Sequence, residues 1–111
     1  MFERLIGFLR RPPATIQGSS ELPEGEARHF AAGAGEIVLC RRAGKLYALD
    51  ARCPHEGGRL IGGPLVEGRY VTCPLHKYKF DPANGQAIGV ACKKARTYRV
   101  VERGADCEVF L

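Results

Sequence analysis

The sequence predicts an all-β domain, folded as a sandwich or barrel of short antiparallel strands. Three observations support this prediction: the apolar runs are short, glycine-rich turns separate them, and almost no segment shows helical periodicity. The 111 residues include 14 glycines and 7 prolines, as expected for a chain that turns often. A chain of this length forms one domain with a modest hydrophobic core.

The strand-like runs follow one another along the chain, and turn residues separate them. They cover residues 27–30, 36–41, 45–49, 65–66, 70–72, 79–80, 86–88, 96–102 and 107–111. Turns at Ala43-Gly44 and Glu67-Gly68 predict two hairpins, and Asn84-Gly85 is a further turn signal. Long loops are predicted between these strands, the first over residues 50–63 and the second from Cys73 onward.

The first 13 residues are predicted to stand apart from this domain, which we place at residues 14–111. The apolar residues of the segment recur at the spacing of one face of a short amphipathic helix. They are Phe2, Leu5, Ile6 and Leu9. Pro12-Pro13 ends the predicted helix and forms a hinge. We expect the helix either to pack on the domain or to make a peripheral contact with a partner or an anionic membrane through residues 1–11. No apolar run approaches the ~18 residues that span a bilayer.

Two short boxes carry the metal-binding chemistry of the chain. The first is Cys53-Pro54-His55 and the second is Cys73-Pro74-Leu75-His76, so each offers one thiolate and one imidazole. An iron–sulfur cluster with one iron on two cysteines and the other on two histidines uses this set of ligands. A tetrahedral zinc could use the same four residues, although zinc sites usually pair like ligands, Cys with Cys and His with His. The candidate ligands are Cys53, His55, Cys73 and His76.

The residues around the boxes favour the cluster over zinc. The pattern Cys-Pro-His-x-Gly-Gly-x-Leu begins at Cys53, and Cys-Pro-Leu-His-x-x-x-Phe-Asp-x-x-x-Gly begins at Cys73. Together they resemble the Rieske [2Fe–2S] ferredoxin family. The resemblance implies a Rieske-type fold and one [2Fe–2S] cluster in a small subdomain of two loops, at about residues 51–92. It also implies that Cys53 and Cys73 hold the inner iron, while His55 and His76 hold the outer iron near the surface.

Departures from the family pattern predict a low reduction potential. High-potential members carry an additional cysteine in each box, joined as a disulfide, where this chain has Gly58 and Leu75. They also place serine and tyrosine hydroxyls against the cluster where this chain has Tyr78 and Phe80. Fewer hydrogen-bond donors stabilise the reduced cluster less. We therefore expect a potential at the low end of the Rieske range, roughly −150 mV to just below zero.

A third loop, residues 89–95, carries charge toward the predicted cluster. It lacks the prolines of many Rieske ferredoxins and contains Lys93 and Lys94. These lysines either attract a partner through its acidic surface or are simply solvated. The net charge of +5 is spread along the chain without a basic–aromatic motif, so we expect no binding of nucleic acid.

The other cysteines do not predict a disulfide framework. Cys40, Cys92 and Cys107 remain after the boxes are assigned, and three is an odd number. Unpaired thiols and a thiolate-bound cluster favour a reducing, cytoplasmic setting. We expect Cys40 and Cys107 to be small buried hydrophobic residues, whereas Cys92 is a candidate redox-sensitive thiol.

The predicted function is one-electron transfer rather than catalysis. The chain shows no Ser-His-Asp grouping, P-loop or dinucleotide fingerprint. His29, the histidine outside the boxes, is expected to be an ordinary surface or core residue. The resemblance implies a ferredoxin that passes electrons from a reductase to an oxygenase or hydroxylase. Two alternatives stay open: a Rieske-like small subunit of an assimilatory nitrite reductase, and a zinc-stabilised interaction module.

Overall fold

The computed structural model describes residues 12–55 and 57–111, and it confirms the all-β prediction. The strands are β1 (Ala14–Ile16), β2 (Glu26–Ala32), β3 (Gly35–Arg42), β4 (Lys45–Asp50), β5 (Gly63–Pro64), β6 (Val71–Cys73), β7 (Tyr78–Phe80), β8 (Thr97–Arg103) and β9 (Asp106–Phe110), with a 3₁₀ turn at Ser19–Glu21. The amphipathic helix predicted near the N-terminus lies outside the described residues. Nothing helical in the described ranges has the length and apolar character that a bilayer-spanning segment requires.

Seven strands form one antiparallel sheet in the order β1-β9-β8-β4-β3-β2-β5. The central hairpins are local: β2 pairs with β3 and β3 with β4 along the chain. At one edge of the sheet, strands that are far apart in the sequence are paired: Ala14 in β1 lies opposite Val109 in β9. Because β1 also lies against β2, near the opposite edge, the sheet curls toward a barrel.

The curled sheet is buried on both faces, and β3 shows this most clearly. Its residues Ile37, Val38, Leu39 and Cys40 are all nearly inaccessible. Successive side chains of a strand point to opposite faces, so Ile37 and Leu39 enter one core while Val38 and Cys40 enter the other. The Ile37 core fills the inside of the curl. The Val38 core lies beneath the two loops that carry the Cys/His boxes and includes Cys53 and Cys73.

A separate two-stranded hairpin, β6–β7, covers the Val38 core. Its register places Cys73 opposite Tyr78, so residues 74–77 form a tight loop. Lys77 adopts a positive φ of 56° in this loop. Val71 and Phe80 are fully buried and fix the hairpin to the sheet. The hairpin thereby holds the second box at one end of the molecule.

Two short strands were not predicted, and two predicted strands are shorter than expected. β1 and β5 have three and two residues, too few to produce a periodic signal. The run at residues 65–66 forms only an isolated bridge, Val66 with Tyr70, and the longer pairing shifts to Val71–Cys73. The run at residues 86–88 also forms one bridge, Ala87 with Phe80, because the Asn84-Gly85 turn leaves little length for a ladder.

Candidate metal centre

The fold brings the two boxes together at one end of the molecule. Cys53 and His55 lie in the loop after β4, whereas Cys73 ends β6 and His76 follows it. The Cys53 and Cys73 side chains are buried, with 4% and 1% of their surface exposed. His55 is half-buried and His76 is exposed. The thiols therefore lie inside and the imidazoles outside.

The two imidazoles are close enough to share one metal ion. His55 Nδ1 and His76 Nδ1 lie 3.2 Å apart, and the ring centroids are 4.6 Å apart. Two nitrogens on one metal at about 2.1 Å would subtend an angle of about 100° at this separation. Among residues 12–55 and 57–111, no three metal-ligating side chains surround a single point. A [2Fe–2S] cluster of the Rieske type takes two protein ligands on each iron, so the paired donors fit it.

The two thiols form the buried half of this donor set. The pKa of the Cys53 thiol is raised to about 11, chiefly by burial and in smaller part by the neighbouring Cys73. The backbone N–H of His55 acts in the opposite direction because it donates to Cys53 Sγ at 3.4 Å. Iron binds thiolates, so cluster assembly must release these protons. The same N–H would stabilise negative charge on a cluster sulfur ligand.

The first loop is a hairpin whose stem sets the position of its ligands. Leu60 donates from its backbone N–H to Ala51 at 2.9 Å, and Cys53 donates to Gly58 at 2.7 Å. Gly57 turns the chain with a φ of +72°, which favours glycine. The stem therefore holds Cys53 directly against the returning chain.

Gly58 brings the two loops into contact. A Cβ built on this residue would lie only 2.7 Å from Cys73 Sγ and 3.4 Å from side-chain atoms of Leu75. The backbone of the first loop thus packs directly on the sulfur of the second box. A side chain at residue 58 would require Cys73 Sγ or one of the loops to shift from this arrangement.

A buried carboxylate anchors the start of the first loop. Asp50 accepts hydrogen bonds from the backbone N–H of Arg52 at 2.8 Å, from Arg52 Nη2 at 2.9 Å and from the Tyr98 hydroxyl at 3.2 Å. The Arg52 side-chain hydrogen bond is the largest cause that lowers the pKa of Asp50. The network ties β4, the loop and β8 together one turn before Cys53. Sequence reasoning missed it because Tyr98 is 48 residues away from Asp50.

Tyr78 and Phe80 pack around the two boxes. The Tyr78 ring packs on His55, with centroids 4.3 Å apart, and lies 6.0 Å from the His76 ring. Phe80 is fully buried beneath the hairpin. Tyr78 therefore shields the imidazoles, and Phe80 contributes only packing.

The surface around the centre is apolar with basic groups. The large hydrophobic side chains that are exposed in the described ranges are Ile61, Leu75 and Val90, at 40%, 52% and 41%. They lie on the first, second and third loops, respectively. Ile61 and Leu75 also line a groove of about 590 Å³. The basic residues exposed on the second and third loops are Lys77, Lys93 and Lys94.

The remaining cysteines lie largely where the sequence predicts them. Cys40 and Cys107 are buried and Cys92 is half-buried; none forms a disulfide. Burial raises the pKa of the Cys40 thiol to about 12. Cys92 packs against the core that contains Cys53 and Cys73. His29 is the unexpected residue, because its ring bonds to the first loop at Leu60, and nothing in the sequence signals that contact.

Comparisons with known proteins agree with this geometry. The Rieske [2Fe-2S] domain family model matches residues 13–102. The ferredoxin component of a naphthalene 1,2-dioxygenase system from Pseudomonas aeruginosa is 34% identical over 85 residues, which cover 76% of this chain and 81% of that protein. A cholesterol 7-desaturase from Hemicentrotus pulcherrimus is 29% identical over 79% of this chain, but the match spans only 21% of the desaturase.

Solved structures show the same fold. The ferredoxin of carbazole 1,9a-dioxygenase from Nocardioides aromaticivorans IC177 superposes with a TM-score of 0.78 at 25% identity, over 90% of this chain and 98% of that one. A chain in a complex of reduced oxygenase and oxidized ferredoxin in carbazole 1,9a-dioxygenase gives a TM-score of 0.76 at 22% identity, over 88% and 92% of the two chains. The family-model match over residues 13–102 and the 34% identical relative establish that the chain belongs to the Rieske [2Fe–2S] family.

Proposed function

We propose that this protein is a one-electron carrier, a Rieske-type ferredoxin that receives electrons from a reductase and delivers them to an oxygenase or hydroxylase. One observation carries the proposal: two buried thiols and two outer imidazoles meet at one end of a small β domain. One bound [2Fe–2S] cluster supplies reversible one-electron chemistry. We assign the Rieske domain to residues 14–111, its cluster-binding subdomain to about 51–92, and its location to the cytoplasm.

Burial supports the proposed ligand roles. Cys53 and Cys73 would hold the inner iron within the core, and His55 and His76 would hold the outer iron. Because His76 is exposed, the electron leaves through the imidazole side. Replacing Cys53 by Ser should impair cluster assembly, whereas His76→Cys should give an all-thiolate cluster of much lower potential. A full, unchanged spectrum in Cys53→Ser would contradict the assignment.

The surroundings of the ligands support a low potential. The backbone N–H of His55 is the donor found on Cys53 Sγ, while Tyr78 stacks on His55 and Phe80 has no hydroxyl. With few donors to sulfur among residues 12–55 and 57–111, the reduced, more negative cluster is less stabilised. We expect a potential of roughly −150 mV to just below zero.

The face around the cluster suits an acidic partner with an apolar centre. Apolar contact comes from Ile61, Leu75 and Val90, and interface cores are depleted of charge in this way. Lys93 and Lys94 are exposed and make no ion pair within residues 12–55 and 57–111. Two of the relatives reported above, from a naphthalene 1,2-dioxygenase system and from carbazole 1,9a-dioxygenase, are ferredoxins of oxygenase systems, which supports an oxygenase as the acceptor. They lend no support to a nitrite reductase, and the donor set fits a cluster better than zinc.

Two measurements test this function. In the first, a reductase with NADH reduces the purified protein, and the oxygenase component of a naphthalene 1,2-dioxygenase system is then added with its substrate; rapid reoxidation supports the proposal. Stable reduction in the presence of that oxygenase contradicts this acceptor. In the second, the protein is purified from native lysate. Weak, transient association supports a mobile carrier, whereas a stoichiometric large partner supports a fixed subunit.

A further inference from the structure

His29 lies in β2, outside both boxes, yet its side chain reaches the first cluster loop. Its Nε2 lies 2.8 Å from the carbonyl oxygen of Leu60. A carbonyl oxygen only accepts, so Nε2 carries the hydrogen and donates. Both the neutral ring protonated on Nε2 and the imidazolium have this donor. The bond joins the seven-stranded sheet to the loop that carries Cys53 and His55.

Leu60 is the junction at which the chain leaves this loop. Its own N–H closes the loop stem on Ala51, and the next N–H, of Ile61, donates to Thr72 at 3.0 Å. Thr72 precedes Cys73 in β6. Leu60 is fully buried, so its carbonyl would become a costly buried acceptor if His29 did not donate to it. The His29–Leu60 pair is therefore connected to the first box through the Leu60–Ala51 hydrogen bond and to the second box through the Ile61–Thr72 hydrogen bond.

The His29–Leu60 hydrogen bond lies just beyond the point where the backbone pairing of β2 with β5 ends. β2 pairs with β5 at Glu26–Pro64 and Ala27–Gly63, and the ladder goes no further. The backbones come close at Gly62, where an added Cβ would lie 3.0 Å from the Ala27 carbonyl oxygen. His29, two residues beyond Ala27, then bonds to Leu60. The ring supplies the next connection between the sheet and the diverging loop.

We infer that His29 is a positioning residue that holds the cluster-binding loops against the main sheet. Its hydrogen bond to the Leu60 carbonyl oxygen is called the latch below. The inference rests on the proposed function only in that these loops hold the cluster. Without the latch, the segment at Leu60 and Ile61 opens more readily. Because Gly58 packs on Cys73 Sγ, that movement changes the relative placement of the two boxes.

The test compares three variants of the cluster-loaded protein. His29→Leu fills similar space without a donor, His29→Gln retains an amide donor, and Arg28→Ala alters the exposed neighbour in β2 as a control. In His29→Leu we expect hydrogen exchange at Leu60 and Ile61 to rise about tenfold, equivalent to about 1.4 kcal/mol, while exchange in β8 and β9 is unchanged. The electron paramagnetic resonance lines should broaden, and cluster loss to a chelator should be about tenfold faster. His29→Gln should restore most of each property.

Three outcomes would overturn the latch: unchanged exchange and spectrum in His29→Leu, equal damage in His29→Gln, or a uniform rise in exchange over the whole domain. The third would show a general loss of stability rather than a local release. If the wild-type protein held no cluster, the proposed function would fail. The exchange rates at Leu60 and Ile61 would still decide the latch.

Discussion

Replacing Gly58 by alanine tests the contact between the two cluster loops. The new Cβ would lie 2.7 Å from Cys73 Sγ, whereas ordinary contacts are about 3.5–4.0 Å. The sulfur or the loop must therefore move by about 1 Å, although ligand distances in metal sites hold to about ±0.2 Å. The φ of Gly58 is not positive, so alanine suits its backbone and the effect is steric.

The cost of such overpacking is about 1–3 kcal/mol, which corresponds to a loss of cluster retention of about fivefold to about 140-fold at about 1.4 kcal/mol per factor of ten. The assay measures iron and acid-labile sulfide per chain, with the rate of cluster loss to a chelator. Gly57→Ala is the matched control, since Gly57 has a φ of +72° and no atom within 4 Å of a built Cβ. It should cost about 1 kcal/mol of stability and keep the cluster. Full retention in Gly58→Ala, or equal loss in Gly57→Ala, would refute the reasoning.

Three further predictions concern acid stability, docking and thiol reactivity. Asp50→Asn should lower the free energy of unfolding by about 1 kcal/mol at pH 7. Because the folded pKa of Asp50 is lowered, the difference in urea midpoint between the wild type and the variant should shrink as pH falls below about 4. A difference that stays constant with pH would contradict this prediction. The double substitution Lys93→Glu/Lys94→Glu should raise the KM for the oxygenase about threefold to tenfold at low salt. High salt should abolish this increase by screening the charges. An increase that does not depend on salt would contradict electrostatic docking. Iodoacetamide should label half-buried Cys92 well before Cys40, whose thiol pKa is about 12. Mass spectrometry of peptides measures the order of labelling, and labelling of Cys40 first would contradict this prediction.

Local signals in the sequence predicted most of the strands and the donor set. The β3–β4 hairpin follows from short apolar runs on both sides of the Ala43-Gly44 turn, and Ala43 and Gly44 both have the positive φ that such a turn uses. The four candidate ligands were recognisable because each box is contiguous. Their convergence at one end of the fold follows from short hairpin geometry, which places loop residues at the tips of strands.

Contacts between distant residues could not be predicted. β1 is only three residues long and forms its ladder with β9, almost the full length of the chain away. The sequence predicts an ordinary role for His29 because its partner is the backbone carbonyl of Leu60. Every residue has such a carbonyl, so the sequence cannot indicate which one His29 contacts. Asp50 likewise gains its role only when the fold brings Tyr98 to it.

An anaerobic redox titration followed by electron paramagnetic resonance would show whether the protein holds a low-potential Rieske cluster. We expect a rhombic signal with average g below 2, appearing on reduction at about −100 mV. The same signal well above zero would retain the cluster but contradict the argument from sparse hydrogen-bond donors. A colourless protein that contains zinc, lacks acid-labile sulfide and gives no signal would contradict the claim that this protein carries an electron.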